Sequence, residues 1–199
     1  GTMLWKRPLT SGIMVDRSTM VATPAILYLA DDKSCKLLDA VTGAVRDEIA
    51  LPEAVAGGTF WKWIALEDGV LYGLIGEQEP QDPDARWRRR EHGWPWSDMS
   101  RGYNDAKHLW GFGKTLLAID PKTKQVLWSH QEDLPLDSRA LCMKSGRIYC
   151  CNFGHYLRCL DAKSGKVVWE RTAERDPEVF QAIGPYRSEQ GPIQGWKTN

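Results

Sequence analysis

The stretch Leu160-Asp161-Ala162-Lys163-Ser164-Gly165-Lys166-Val167-Val168-Trp169 decides the fold, because the chain repeats it. Its relatives are Ile119-Asp120-Pro121-Lys122-Thr123-Lys124-Gln125-Val126-Leu127-Trp128 and Leu38-Asp39-Ala40-Val41-Thr42-Gly43-Ala44-Val45. Gly1-Thr2-Met3-Leu4-Trp5 reads as the tail of a fourth copy, with Trp again four residues after Gly. Gly1 and Gly43 lie 42 positions apart, Lys124 and Gly165 lie 41 apart, and Gly43 and Lys124 lie 81 apart. The last interval is one period plus about 40 residues, and a period of this size fits one unit of four strands. In each copy the Asp side chain can bond turn N–H groups, and Gly43 and Gly165 supply a positive φ at little cost. Lys124 stands in the glycine's place and predicts a left-handed residue strained by about 1 kcal/mol.

Working outward from the quoted stretch, Arg139 to Lys144 reads as a strand, Ser145-Gly146 as a tight turn and Arg147 to Asn152 as the next strand. Phe153-Gly154-His155 turns the chain into Tyr156–Asp161, and the Ala162–Gly165 turn leads into Lys166–Arg171. That is a four-stranded antiparallel meander. Val126-Leu127-Trp128 and Val167-Val168-Trp169 are apolar on both alternating faces, which predicts strands covered on both sides. Sheets stacked flank to flank around an axis meet that demand, with Trp5, Trp128 and Trp169 packed between them. The expected architecture is all-β: a β-propeller with about three four-stranded antiparallel blades, partial blades at both ends and an incomplete ring. Residues 1–10 are assigned to the last strand of a truncated blade, 11–52 to the first blade and 53–135 to the second, with an insertion over 77–113. Residues 136–175 form the third blade, and 176–199 a linker and the start of the next.

The pattern Ala118-Ile119-Asp120-Pro121-Lys122-Thr123 followed by Trp128, with its relatives at 160–169 and 38–45, resembles the repeats of PQQ-binding-like (quinoprotein dehydrogenase-like) β-propellers. In that family a tryptophan docking motif, AxDxxTGxxxW, closes each blade onto its neighbour. The resemblance makes Trp5, Asp39, Gly43, Asp120, Trp128, Asp161, Gly165 and Trp169 the structural blade motif. The first copy departs from it, with Asp47 where Trp is expected. Catalytic members use PQQ with Ca²⁺ to oxidise an alcohol or sugar, and carry a disulfide between adjacent cysteines against the cofactor ring. Cys150-Cys151 lies inside a strand whose successive side chains point to opposite faces, so such a disulfide needs strongly distorted geometry. Cys142, Cys150, Cys151 and Cys159 are read instead as small apolar fillers of the third blade.

The rest of the sequence narrows the chemistry. Among 199 residues, 26 Lys and Arg balance 26 Asp and Glu, which removes a global electrostatic case for nucleic acid or an anionic membrane. No apolar stretch is long enough to span a bilayer. Five cysteines (the fifth is Cys35) show no CxxC spacing, so zinc-ribbon and thioredoxin-type sites are unsupported. His92, His108, His130 and His155 lack metal-ligand spacing and read as surface or loop histidines. Gly113-Lys114-Thr115 is no phosphate loop, since His108 stands where the pattern needs Gly and a strand is expected to follow. The insertion holds Trp87, Trp94, Trp96, Trp110, Arg88-Arg89-Arg90 and three prolines, a loop on a rigid scaffold. Trp beside Arg can stack on sugars, rings or partner surfaces, so Trp87, Arg88, Trp94, Trp96 and Trp110 form the candidate ligand or partner loop. Seven acidic residues there outnumber six basic ones, which speaks against nucleic acid. The reading that leads over ligand or partner recognition is that the loop packs over the propeller's face or a neighbouring domain.

Two functions remain. The leading one is a non-catalytic scaffold or binding platform, with no catalytic or metal residues and no cofactor expected. Its partners would be the remaining blades of a larger protein, or further copies through open blade edges, with a protein or carbohydrate ligand. The other is part of a PQQ- and Ca²⁺-dependent alcohol or sugar dehydrogenase. No leader pattern opens the chain, and the resemblance implies an exported, periplasmic or cell-envelope protein with its signal peptide upstream of Gly1.

Overall fold

The computed structural model describes residues 1–7, 17–30, 33–53, 55, 57–77, 111–152 and 155–183. Twelve strands form three four-stranded antiparallel sheets, each with its strands in chain order. The first blade holds β1 (Met20–Ala22), β2 (Ile26–Ala30), β3 (Ser34–Asp39) and β4 (Val45–Ala50). The second holds β5 (Phe60–Glu67), β6 (Val70–Gly76), β7 (Phe112–Ile119) and β8 (Val126–Asp137). The third holds β9 (Leu141–Lys144), β10 (Arg147–Asn152), β11 (Tyr156–Asp161) and β12 (Val167–Thr172). These are β-propeller blades, and the described residues do not close a ring.

The ends of the expected plan gain detail. Residues 1–7 form no strand, because no described neighbour offers them a ladder to join. Pro177–Ile183, in the stretch expected as a linker, is a short helix, α1, and the expected start of the next blade lies outside the described residues. Pro at the helix's first position has the right φ and no N–H to strand, and Glu178 lies in its positive first turn. Gly113-Lys114-Thr115 lies within β7, as a strand.

The middle blade shows why the layers stack. Along β6 and β7, Leu71, Ile75, Leu117 and Ile119 face the first blade, where they pack with Tyr28, Ala30, Cys35 and Ile49. The intervening Tyr72, Leu74, Leu116 and Ala118 face the third blade and pack with Leu141, Ile148, Cys150 and Leu160. Period-2 alternation therefore serves two cores at once, and each fully buried Leu or Ile contributes about 1.5–3 kcal/mol. Trp61 fills the first seam over Gly73, where a Cβ would meet its ring at 2.6 Å.

The outermost strands depart from expectation. Leu127, Val167 and Val168 are exposed, not covered on both sides. A β-bulge recurs at the same place in every blade: Ala118 pairs Trp128 and Ile119 pairs Val126, which leaves Leu127 as the extra residue. Val168 and Arg46 are extra in the same way. The bulge turns Leu127 outward and lets Val126 and Trp128 serve opposite seams.

Candidate functional sites at the blade seams

The same turn joins the third and fourth strands of each blade. Asp39 Oδ1 accepts from the N–H groups of Val41 (2.9 Å) and Thr42 (2.7 Å), Asp120 Oδ1 from Lys122 N–H (2.8 Å), and Asp161 Oδ1 from Ser164 N–H (3.0 Å). The backbone donation from Thr42, with Arg46 beside it, holds the Asp39 carboxyl at about 2. Backbone donation from Lys122 lowers Asp120, and the Ser164 hydroxyl lowers Asp161. Gly43 (φ +72°), Lys124 (+62°) and Gly165 (+69°) close the three turns in the left-handed region, as their positions predict.

Trp5 and Trp128 both reach a neighbouring turn. The Trp5 Nε1–H donates to Ala40 O at 3.1 Å, and its ring lies where a Cβ on Gly43 would stand, 2.5 Å from Cδ2. The Trp128 Nε1–H donates to Ala162 O at 2.8 Å, and its ring covers Gly165 in the same way, at 2.6 Å. At the seam between the first and second blades, Asp47 holds the Trp register, paired with Leu37, and Lys124 holds the glycine's place. There the Lys124 Nζ donates to Asp47 Oδ1 at 2.6 Å, and this bond draws the Asp47 carboxyl below its usual range.

Trp169 meets no turn among the described residues. Its ring packs on Tyr149 with centroids 6.2 Å apart at 50°, the arrangement of Trp128 on Tyr72 (6.2 Å, 48°). The cross-strand row Cys142, Tyr149, Cys159, Trp169 thus repeats the row Ala65, Tyr72, Ala118, Trp128 one blade earlier. The earlier row is covered by the third blade, whereas Trp169 is 39% exposed.

A polar cluster in the second seam escaped sequence reasoning. Thr115 pairs Gln131 and Gly113 pairs Leu136, so the intervening segment of β8 bulges toward the third blade. It carries Glu132, whose side chain is buried to 1% exposure. Glu132 accepts from the Tyr156 hydroxyl (2.8 Å) and the Arg158 guanidinium, and lies 3.0 Å from His130 Nε2. Arg158 also donates to Glu170 Oε2 (2.8 Å) and lies over the Tyr156 ring at 4.1 Å. Asn152 Nδ2 straps the same bulge by donating to Pro135 O at 2.7 Å. Burial works to raise the Glu132 carboxyl, but the contacts from His130, Tyr156 and Arg158 outweigh it and hold it below the ordinary carboxylate value. His130 is therefore a strand residue with a carboxylate partner, correcting its reading as a surface or loop histidine. An Arg in mid-strand at 158 was the signal available in the sequence.

Cys142, Cys150, Cys151 and Cys159 form no disulfide among the described residues. Cys150 and Cys159 are buried and Cys151 half-buried, as fillers should be, and burial pushes Cys150 to about 12 and Cys151 to about 11. Cys142 is exposed, a correction: Leu141 and Met143 on β9 take the covered face, so Cys142 takes the other. Trp87, Arg88, Trp94, Trp96 and Trp110 lie outside the described residues, as do His92 and His108. No three His, Cys, Asp or Glu side chains among the described residues converge as a metal site, and the three repeat Asp residues are engaged in their own turns. No described helix is long and apolar enough to cross a membrane.

No family model matches the chain. Over 56 residues it is 36% identical to the quinoprotein alcohol dehydrogenase PedE of Pseudomonas putida, and equally to a quinoprotein ethanol dehydrogenase of Pseudomonas aeruginosa. Each match covers 28% of this chain and only 9% of the relative. Among solved structures, the computationally designed Ika4 protein superposes with a TM-score of 0.50 at 12% identity, covering 86% of this chain and 79% of that one. That likeness concerns the fold alone. A stretch of 56 residues is thus similar in sequence to quinoprotein dehydrogenases, and the described strands fold as propeller blades.

Proposed function

We propose that the chain is a non-catalytic stretch of a larger, exported, periplasmic PQQ-like β-propeller that serves as a scaffold and binding platform. One observation carries this reading. The Tyr149–Trp169 row reproduces the row that receives the third blade, yet its indole stands exposed. A face built like an occupied seam is a face built to be covered, and tryptophan docking is the means by which it would be. The expected result is that the isolated chain self-associates or aggregates in size-exclusion chromatography with light scattering. Replacing Trp169 with Ser should shift it toward monomer. A wild-type chain that elutes as a clean monomer at all concentrations contradicts the reading.

The 36% identity to quinoprotein alcohol dehydrogenases favours a second reading, a stretch of a PQQ- and Ca²⁺-dependent enzyme. Mixing the chain with PQQ and Ca²⁺ and desalting separates the two. Under the scaffold reading no quinone absorbance stays with the protein; retention together with alcohol-dependent dye reduction reverses the ranking. The insertion's Trp and Arg side chains are the part of the platform proposed to meet a protein or carbohydrate ligand.

A further inference from the structure

Two departures from the repeat meet at one seam. Trp is replaced by Asp47 on the outgoing strand of the first blade, and Gly by Lys124 on the receiving turn of the second. They stand 77 residues apart in sequence and 2.6 Å apart in space. We propose that Asp47 and Lys124 are a matched polar lock that replaces the indole–glycine pair and fixes which blade follows which.

The physical reason is exclusion rather than strength. The Asp47 and Lys124 side chains are 44% and 42% exposed, and exposed ion pairs add little net stability. The apolar filling of this seam comes from Trp61, Ile64 and Ile75 instead. What the pair controls is compatibility. Even a Cβ on Gly43 or Gly165 would stand 2.5–2.6 Å from the seated indole, so a turn carrying the Lys124 side chain cannot seat a Trp. Conversely, Asp47 placed on a glycine turn would leave the shelf uncovered and a carboxylate without its cation. Similar repeats risk docking out of order, and a seam of different chemistry removes that alternative by building a mismatch into it.

The test is a double-mutant cycle in the full 199-residue chain, followed by urea unfolding. Asp47→Trp alone is expected to lower the folded-to-unfolded ratio about tenfold, because the indole meets the lysine stem. In the Lys124→Gly background the same change should leave the ratio unchanged or raise it. If Asp47→Trp costs the same in both backgrounds, within about twofold, the lock is overturned. Should Asp47→Trp fail to fold, the charge swap decides. Asp47→Lys and Lys124→Asp should each lower the urea midpoint, and the pair together should restore it to the wild-type value. A swap no more stable than its worse single variant also overturns the proposal.

Discussion

Replacing Glu132 with Ala is expected to destabilise the chain by about 3–5 kcal/mol, the cost of breaking a buried ion pair by removing one partner. Three neighbours lose by it. Arg158 keeps Glu170 but loses its buried carboxylate, the Tyr156 hydroxyl loses its acceptor, and His130 loses its companion. Replacing the whole network with apolar residues is a different experiment. A triple variant, Glu132→Leu with Tyr156→Phe and Arg158→Met, should recover most of the loss, because the polar groups that then lose a partner, His130 and Glu170, are each 26% exposed and reach water. Equal urea midpoints for Glu132→Ala and wild type would show that the cluster carries no net stability.

The same carboxylate sets a pH dependence. Burial opposes its charge, but His130, Tyr156 and Arg158 hold its folded-state value below that of the unfolded chain. Its contribution is therefore present above the ordinary carboxylate range, and is lost as the pH falls through the lowered folded-state value. Wild type should lose more stability than Glu132→Gln on acidification below about pH 4.5. Parallel curves for the two proteins would contradict this account.

What the sequence made legible was whatever repeats. The recurring Asp turn, with Gly1 and Gly43 lying 42 positions apart and Lys124 and Gly165 lying 41 apart, announced three blades and put Trp5 and Trp128 between them, because a period reports a unit that recurs in space. The bulge before each Trp left no such mark. Strict alternation along Val126-Leu127-Trp128 assigns the flanking residues to one face, whereas the extra residue sends them to opposite seams and exposes Leu127. Glu132 was hidden for a related reason: its partners Tyr156 and Arg158 lie 24 and 26 residues onward, in another blade. Asp47 and Lys124 were each visible as departures, but their complementarity exists only across the folded seam.

The glycine turns provide the sharpest quantitative test of the seams. Gly165 and Gly146 have the same φ, +69°, so an Ala at either is strained by about 1 kcal/mol in the left-handed region. Their surroundings differ. A Cβ on Gly146 would meet nothing within 4 Å, while one on Gly165 would stand 2.6 Å from Trp128 Cε3 and push the indole off its turn. Overpacking of that kind adds about 1–3 kcal/mol. Gly165→Ala should therefore cost about 2–4 kcal/mol against about 1 kcal/mol for Gly146→Ala. Trp128→Ala alone should cost about 3 kcal/mol, losing the ring's packing on Tyr72 and its bond to Ala162 O. In that background the indole is already gone, so Gly165→Ala should fall back to the strain alone, matching Gly146→Ala. The two alanines costing the same in the wild-type chain, by urea unfolding, would mean that the indole is not seated on the Gly165 turn.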